Sequence, residues 1–550
     1  MSFATSRILS TWRCFGSGVA LACLSGALLA ACFPKAGVAV VAWVGLVPLL
    51  VALEGAKPLQ AFTYAYLAGW VMFTGIFSWI WALPSFQVLD YVLLAIYLAC
   101  YGGVFGLTLA CVRRRTSVPL GILAPSIWVS LEYVRGHAGF LGFPWMLLGH
   151  SQYQHPALLQ ISSVTGAYGV SFLIVLVNAA LAELIMMRPS LSFQSLRGWS
   201  AGRIRSAPRS AGASLLLPLA LLVLCGLYGV FRLHFSQEGE VLRVSVVQGN
   251  IPQDRKWDAA WRDSIIERHL ALTRRAALDH PSLIVWPETS VAGDVQHSPP
   301  LRDRVAGVAH ETHSYLLVGN AEAAKFSSKA LSGKSFNSMV LFSPDGLVLG
   351  EYRKILLLPF GEYVPLRETV PWPDNIAVIR KDIVAGREPT LFMIGSTAFG
   401  ATICWENVFP DLFREFVKRG AQFMVNATNE AWFGETGASE QFLAISVFRA
   451  VENRVAIARA ANTGVSAFID PYGRITSRLT REDGKDVFVE GTLTHDIPLS
   501  TERTFYTLYG DVFLLVQLLV CAVVVLRGWL VTGARRPVPS LVTAMKGDEG

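Results

Sequence analysis

The stretch Phe399-Gly400-Ala401-Thr402-Ile403-Cys404-Trp405-Glu406 is the part of this 550-residue chain on which the fold prediction depends most. Its first five residues form an apolar run that is typical of a buried β-strand. Cys404 ends the run, and residues 410–419 have the pattern of a helix. A strand-to-helix turn exposes the side chain at its tip and surrounds it with backbone N–H groups, which lower a thiol pKa and stabilise a developing oxyanion.

Short β-rich runs alternate with helical patterns on both sides of this stretch, from residue 234 to residue 510. This alternation predicts a layered α/β domain. The predicted strands are 241–248, 283–285, 314–319, 338–342, 398–404, 423–427, 455–460 and 466–469. The predicted helices are 258–278, 301–311, 410–419 and 440–453, with hairpin turns at Pro344-Asp345-Gly346 and Asp470-Pro471-Tyr472-Gly473.

The rest of the chain has the composition of a membrane protein. The whole chain is 53% hydrophobic and 16% charged, whereas soluble domains average about 25% charged residues. Apolar runs long enough to cross about 30 Å of hydrocarbon as helices lie near 15–34, 37–54, 60–82, 90–112, 117–134, 157–187, 212–233 and 510–530. We therefore predict eight transmembrane helices and three parts: a membrane domain at 1–233, a catalytic domain at 234–510, and an eighth helix with its tail at 511–550.

The distribution of basic residues predicts the orientation. Of the 18 Lys and Arg residues outside 234–510, a cytoplasmic N-terminus places 15 on the cytoplasmic side, and only Lys35, Arg135 and Arg232 on the other. Residues 234–510 carry a net charge of −4 and the remainder +11, which together give the +7 of the chain. The basic excess flanks the membrane, so we expect no nucleic-acid partner for the large domain.

Cysteine usage leaves two questions open. Cys404 is the only one of eight cysteines between residues 234 and 510. An unpaired thiol on an oxidising side of a membrane favours a thiol that is used, and a buried structural cysteine is the alternative. Leu29-Ala30-Ala31-Cys32 after a basic N-terminal region resembles a lipoprotein signal, although we favour an uncleaved first helix.

Two more polar residues stand beside predicted apolar elements. Glu288 ends the run Leu283-Ile284-Val285-Trp286-Pro287, and Lys354 precedes the apolar residues 355–360. Each alone is commonly a solvated surface charge. With Cys404, they supply a base, a cation and a thiol, the groups that acyl transfer through a thioester requires. We see no His or Cys spacing that would predict a metal site.

These motifs, in this chain order, resemble the Glu-Lys-Cys triad of the carbon–nitrogen hydrolase (nitrilase) superfamily. Seven predicted spans before the domain and one after it narrow the resemblance to the apolipoprotein N-acyltransferase family of Gram-negative bacteria, over about residues 10–530. Further matching stretches are Gly142-Phe143-Pro144-Trp145, Val247-Gln248-Gly249-Asn250-Ile251, residues 354–365 and 429–434, and Asn462-Thr463-Gly464.

The resemblance implies a fold and a set of site residues. The fold is an αββα sandwich on an eight-helix membrane domain. Glu288 is the implied general base, Lys354 the oxyanion-stabilising cation and Cys404 the nucleophile. The implied supporting or substrate-binding residues are Trp257, Glu362, Trp405, Glu406, Asn429 and Trp432. Two positions depart from the family pattern: Trp405 stands where Tyr is usual, and Glu430 stands where Asp is usual.

The resemblance also implies the reaction and its setting. The sn-1 acyl chain of a phospholipid, typically phosphatidylethanolamine, would pass through a Cys404 thioester to the α-amino group of the diacylglyceryl-cysteine of an apolipoprotein. This is the last step of lipoprotein maturation and needs no cofactor. We expect a monomer in the bacterial inner membrane, with cytoplasmic termini and a periplasmic catalytic domain.

Two other functions fit parts of the sequence. A membrane-anchored amidase or nitrilase acting on a small substrate would need the same triad, although eight helices are a large anchor for such an enzyme. A non-enzymatic transporter or lipid-binding protein would leave the triad unused. The isolated positions of Asp90, Glu132 and Glu183 near the ends of predicted spans weaken the transporter alternative.

Overall fold

The computed structural model describes residues 2–83, 88–187, 211–235, 239–323, 334–373 and 382–533, with side chains omitted at 2–14, 211–214, 529 and 531–533. Several of the basic residues on which the predicted orientation depends lie outside the described residues. They are Arg188, Arg197, Arg203, Arg205, Arg209, Arg535, Arg536 and Lys546. The cytoplasmic tail of the predicted third part also lies largely outside the described residues.

The helical half of the molecule comes from both ends of the chain. Its longer helices are Ser2–Ala31, Pro58–Ile76, Val88–Arg115, Leu120–Gly136, Ala167–Met187, Ala211–His234 and Val512–Gly533. Shorter helices are Ala42–Gly45, Val47–Leu53, Pro156–Leu159, Ser162–Thr165 and Phe505–Tyr509. The first four of these short helices occupy stretches for which the sequence predicts continuous spans, at 37–54 and at the start of 157–187.

Three helices among the described residues are long and apolar enough to cross a membrane: Val88–Arg115, Ala167–Met187 and Leu215–His234. Shorter apolar stretches are Phe15–Ala31, Ala39–Leu53 and Val512–Gly528. The span predicted at 157–187 is interrupted at Gly166, whose φ of +64° a regular helix does not allow. The count of eight transmembrane helices therefore stays a prediction.

Two six-stranded sheets form the large domain. In chain order the strands are β1 (Val241–Gln248), β2 (Leu283–Val285), β3 (Tyr315–Ala323), β4 (Ser335–Phe342), β5 (Val348–Arg353), β6 (Leu391–Ile394), β7 (Thr397–Ile403), β8 (Phe423–Thr428), β9 (Ala456–Ala461), β10 (Ala467–Ile469), β11 (Ile475–Arg478) and β12 (Gly491–Pro498). The strand orders are β12-β1-β2-β3-β4-β5 and β11-β10-β9-β8-β7-β6. In both sheets the central strands pair in parallel and the outer strands antiparallel.

The layers of the domain follow from the alternation of side chains along the strands. Val244 and Val246 of β1 face a core shared with the second sheet, whereas Val247 faces a separate core against the helices Arg262–Ala277 and Pro299–Thr312. The helices Pro410–Lys418 and Ala438–Asn453 pack on the second sheet. The remaining helix is the short Gln253–Lys256. The resulting αββα sandwich confirms the predicted fold of this domain.

All eight predicted strands are present, with ends within a few residues of the expected ones. Four strands were not predicted: β5, β6, β11 and β12. β5, β11 and β12 mix polar with apolar residues, so a continuous apolar run does not mark them, whereas β6 is an apolar run of only four residues. The predicted helix 258–278 begins later, because Asp258 caps a short 3-10 turn before the helix Arg262–Ala277.

One buried glutamine makes four of the hydrogen bonds that connect the sandwich to the helical half. Gln441, fully buried in the helix Ala438–Asn453, donates from Nε2 to the carbonyls of Pro34 at 2.8 Å and Ile76 at 3.0 Å. Its Oε1 accepts from the indole N–H groups of Trp79 at 3.1 Å and Trp145 at 2.7 Å. All four partners belong to the helical half, so the amide fixes the position of that half against the sandwich.

We expect Gln441→Leu to weaken this junction strongly. Two indole N–H groups and two carbonyls would lose a partner, so the free energy of unfolding should fall by about 2 kcal/mol or more. The measurement is the thermal midpoint of the purified full-length protein in detergent. Gln154→Leu is the matched control, because exposed Gln154 donates only to the neighbouring Tyr153 hydroxyl. Equal midpoints for the two variants would contradict this account.

Candidate active site

Cys404 lies at the turn that the sequence predicts. It follows β7, begins the 3-10 turn Cys404–Val408 and precedes the helix Pro410–Lys418. Its φ of +51° is a conformation that a non-glycine residue adopts at a cost of about 1–3 kcal/mol. This strained backbone at the end of a buried strand directs the thiol into the space between the two sheets.

The expectation of a lowered thiol pKa is wrong. Burial and the negative charge of Glu288 raise the pKa of Cys404 to about 12, while Lys354 and a hydrogen bond with Thr428 oppose that shift. The backbone N–H groups of the turn do not overcome desolvation. A thiol in this environment keeps its proton at neutral pH, so it needs a neighbouring base to become a nucleophile.

Glu288 and Lys354 meet at the ends of two strands in the first sheet. Glu288 follows β2, Lys354 follows β5, and Lys354 Nζ lies 3.6 Å from Glu288 Oε1. A second carboxylate, Glu362, accepts from Lys354 Nζ at 2.9 Å. Both Lys354 and Glu288 are buried. Burial opposes the charge of Lys354, but Glu362 and Glu288 outweigh it and raise the pKa of Lys354 above its ordinary value.

Asn337 holds the two carboxylates, and the sequence motifs give no sign of it. Its Nδ2 donates to Glu288 Oε1 at 2.8 Å and to Glu362 Oε1 at 3.2 Å. Its carbonyl accepts from the backbone N–H of Lys354 at 2.8 Å, because β4 and β5 pair antiparallel. One residue of β4 therefore connects Glu288, Lys354 and Glu362.

The chain after β2 makes a tight turn that depends on the neighbouring strand. A Cβ atom at Gly319 of β3 would lie 2.1 Å from the carbonyl oxygen of Pro287. Only glycine allows this approach. Thr289, the next residue after Glu288, has a φ of +43°. The close packing directs the Glu288 side chain toward the space between the sheets.

Glu406 supports the turn and the segment after Lys354. Its Oε1 accepts from Tyr352 Oη at 2.7 Å and from the N–H groups of Ile355 at 2.6 Å and Leu356 at 3.1 Å. Its Oε2 accepts from the N–H of Ile403 at 2.8 Å. Burial raises the pKa of Glu406 to about 7 in spite of these donors and of Lys354. Glu406 thus connects the turn at Cys404 to the end of β5 and the segment after Lys354.

Asn429 completes the hydrogen bonds around Glu288. Its backbone N–H donates to Glu288 Oε2 at 2.8 Å, and its Nδ2 donates to Gln253 Oε1 at 2.9 Å. Asn462 Nδ2 donates to the Asn429 side-chain oxygen at 2.9 Å. Glu430, which stands where the family usually has Asp, is fully buried and forms an ion pair with Arg459. The longer carboxylate at this position is therefore paired.

The three tryptophans of the predicted site have different environments. Trp405 is buried and stacks on Trp145 of the helical half, with ring centroids 5.9 Å apart and planes at 18°. Trp257 and Trp432 are 55% and 41% exposed. Trp405 lacks the usual phenol and packs on another aromatic ring, whereas the rings of Trp257 and Trp432 are largely exposed.

One group of His and Asp side chains among the described residues has a spacing compatible with a metal ion. The ligand atoms of His137, Asp411 and Asp511 lie within 4.8 Å of one another. His137 Nε2 already lies 3.1 Å from Asp411 Oδ2. This group contains none of Glu288, Lys354 and Cys404, and it joins the helical half to the helix Pro410–Lys418.

Comparison with known proteins divides the chain in the same way. Residues 25–180 match the family of the apolipoprotein N-acyltransferase N-terminal domain, and residues 243–506 match the carbon-nitrogen hydrolase family. The apolipoprotein N-acyltransferase of Geobacter metallireducens is 36% identical over 502 residues, covering 90% of this chain and 92% of that protein. That of Chlorobaculum tepidum is 30% identical over 516 residues, covering 89% and 92%. A solved amidase from Nesterenkonia sp. is 20% identical and covers 48% of this chain and 93% of its own, with a TM-score of 0.36.

The sandwich and its match therefore define a protein with a carbon–nitrogen hydrolase domain attached to apolar helices. The relatives that cover nine-tenths of the chain narrow this class. The chain belongs to the apolipoprotein N-acyltransferase family, so it is an acyltransferase of lipoprotein biosynthesis.

We expect Asn337→Leu to lower the turnover number of acyl transfer roughly tenfold or more, because Glu288 and Glu362 would each lose a charge-assisted hydrogen bond. The measurement is steady-state acyl transfer by the purified protein. Asn320→Leu is the control, since Asn320 is buried on the adjacent strand β3 and bonds Val295 and Ser338 rather than the carboxylates. Equal losses in folded samples of both variants would contradict a specific role for Asn337.

Proposed function

We propose that Glu288, Lys354 and Cys404 carry an acyl chain from a phospholipid to the α-amino group of the diacylglyceryl-cysteine of an apolipoprotein. The observation that carries the proposal is the buried Lys354 ammonium. It lies between Glu288 and Glu362 and interacts electrostatically with Cys404. This arrangement offers a base for the thiol and a cation for an oxyanion within one pocket.

In the first half of the reaction Glu288 takes the proton of Cys404 as its sulfur attacks the sn-1 ester carbonyl. A sulfur–carbon bond forms, and the carbonyl oxygen becomes an oxyanion that Lys354 and the N–H groups near Trp405 stabilise. The bond from the carbonyl carbon to the glycerol oxygen then breaks. The departing oxygen takes the proton from Glu288, so that lysophospholipid leaves and an acyl thioester remains on Cys404.

In the second half the free α-amine of the apolipoprotein attacks the thioester carbonyl. A nitrogen–carbon bond forms, Glu288 accepts the proton that the amine loses, and the carbon–sulfur bond breaks. The proton passes to the leaving thiolate, which restores Cys404. The sum of the two halves is an N-acylated lipoprotein and a lysophospholipid. No step needs a cofactor or a metal ion.

The supporting residues act on these groups in different ways. Glu362 keeps Lys354 charged and in place, Glu406 holds the nucleophile turn, and Asn429 orients Glu288. We assign Trp257 and Trp432 to contact with the lipid substrates, because both rings are well exposed. Trp405 packs against the helical half and so places Cys404 relative to the membrane.

We further propose phosphatidylethanolamine as the usual donor and a monomer as the working unit. The chain would cross the bacterial inner membrane eight times, with its termini in the cytoplasm and residues 234–510 in the periplasm. The membrane domain would comprise residues 1–233, and residues 511–550 would form the eighth helix and tail. The basic residues support this topology, since it would place 15 of the 18 outside residues 234–510 on the cytoplasmic side.

We expect Cys404→Ser to abolish N-acylation of a synthetic diacylglyceryl-cysteine lipopeptide by the purified protein, because serine is a much weaker nucleophile and forms no thioester. The product is counted by mass spectrometry. Cys521→Ser, in the last long helix, is the matched control and should retain wild-type turnover. Normal N-acylation by Cys404→Ser would contradict the proposal, and ammonia release from small amides by the wild type would favour an amidase.

The topology is tested by thiol labelling in spheroplasts. Asp345→Cys, in the exposed turn between β4 and β5, should react with a membrane-impermeant maleimide, because we place this turn in the periplasm. Lys57→Cys, before the helix Pro58–Ile76, should react only after the membrane is permeabilised. The reverse pattern would overturn the orientation.

A further inference from the structure

Lys256 is a buried cation that the reaction described above does not use. It ends the short helix Gln253–Lys256, on which Asp254 and Arg255 are exposed, yet only 3% of Lys256 is exposed. Its Nζ donates to the backbone carbonyl of Glu288 at 2.8 Å. The sequence Gln253-Asp254-Arg255-Lys256 has the composition of a surface turn, so nothing in it predicts a buried ammonium.

Three titratable groups interact electrostatically with Lys256, and two of them belong to the candidate active site. These two are Glu288, after β2, and Cys404, after β7, and the third is His269 of the helix Arg262–Ala277. Burial lowers the pKa of Lys256 to about 8, while Glu288 and Cys404 oppose that shift. Burial, with a smaller contribution from Lys256, lowers the pKa of His269 to about 4, so this imidazole is neutral. Lys256 is thus a buried cation at neutral pH that contacts the Glu288 carbonyl and interacts electrostatically with the thiol.

The charges of the pocket indicate what the Lys256 cation could do during the reaction. Lys354 is shared between Glu362 at 2.9 Å and Glu288 at 3.6 Å, so its charge is already matched by carboxylates. When the proton of Cys404 passes to Glu288, the negative charge moves from that carboxylate to the sulfur, where water is largely excluded. A buried charge without a partner is costly. The ammonium of Lys256 is available to offset it.

The contact of Lys256 also fixes the chain beside the base. The carbonyl that Lys256 bonds belongs to Glu288 itself, and Thr289 immediately after it has a φ of +43°. A hydrogen bond to this carbonyl holds the peptide group in its strained orientation. The ammonium is therefore anchored in one position relative to Glu288 and Cys404.

We propose that Lys256 is a positioning residue for acyl transfer: held by the Glu288 carbonyl, it supplies a second buried positive charge that stabilises the Cys404 thiolate. This inference rests on the proposed role of Cys404 as the nucleophile. It predicts that removing the charge of Lys256 makes the thiol harder to ionise, even where no lipid substrate is present.

The test is the rate at which iodoacetamide alkylates Cys404 in the full-length protein in detergent, followed by mass spectrometry of the Cys404 peptide from pH 7 to pH 10. Alkylation depends on the thiolate fraction. Lys256→Gln keeps a hydrogen-bond donor but removes the charge, and it should slow alkylation about tenfold for each unit by which the thiol pKa rises. Arg255→Gln, which removes an exposed charge from the same short helix, is the matched control and should alkylate as the wild type does.

Lys256→Arg provides a second comparison, because arginine stays charged throughout this pH range. In the wild type the rise of the rate with pH should flatten above about pH 8, where Lys256 loses its proton. The arginine variant should show no such flattening. This comparison decides the question if the glutamine variant does not fold.

Three results would overturn the proposal: wild-type alkylation by Lys256→Gln, an equal slowing by Arg255→Gln, or identical pH profiles for Lys256→Arg and the wild type. None of them bears on whether Cys404 accepts an acyl chain. If instead phospholipid leaves no acyl group on a Cys404 that iodoacetamide does alkylate, the proposed function fails and the role of Lys256 in thiol ionisation stands.

Discussion

The structure depends on the need to keep ionised groups together in a pocket from which water is largely excluded. Glu288, Glu362 and Lys354 are buried or nearly so, and the positive charge of Lys354 offsets the negative charges of the two carboxylates. Removing one partner of such a set leaves an uncompensated buried charge, which costs about 3–5 kcal/mol. The strained turn at Cys404, the glycine at position 319 and the bridging amide of Asn337 all serve to bring these groups to one place between the two sheets.

The helical half also takes part in the architecture of the site. Trp145 stacks on Trp405, the residue after Cys404, and Gln441 accepts a hydrogen bond from the indole N–H of Trp145. The same glutamine bonds Pro34, Ile76 and Trp79. The turn at Cys404 is thus packed directly against the half of the molecule that contains the apolar helices. An enzyme whose substrates are anchored in a bilayer gains from such contact, because fixing the site relative to the lipid removes part of the search for a reactive orientation.

The sequence predicts the large domain well where apolar runs are continuous, as at β1 and β2, whose ends match the predicted ones. It misses β5, β11 and β12, because polar residues interrupt their apolar runs, and β6, because its apolar run is only four residues long. Asn337 and Lys256 could not be found from the sequence, since their roles arise from strand pairing and from the packing of a polar turn. The raised pKa of Cys404 could not be predicted from the sequence either, because desolvation of the thiol depends on the assembled pocket.

The central claim is that Cys404 carries the acyl chain, and mass spectrometry of the acyl-enzyme tests it most directly. The purified protein is incubated with phospholipid alone, digested, and searched for peptides that have gained the mass of an acyl group. The account predicts this mass on the peptide that contains Cys404, and its loss on treatment with hydroxylamine or with a diacylglyceryl-cysteine acceptor. An acyl group bound to another residue, or release of lysophospholipid without any acylated peptide, would contradict it.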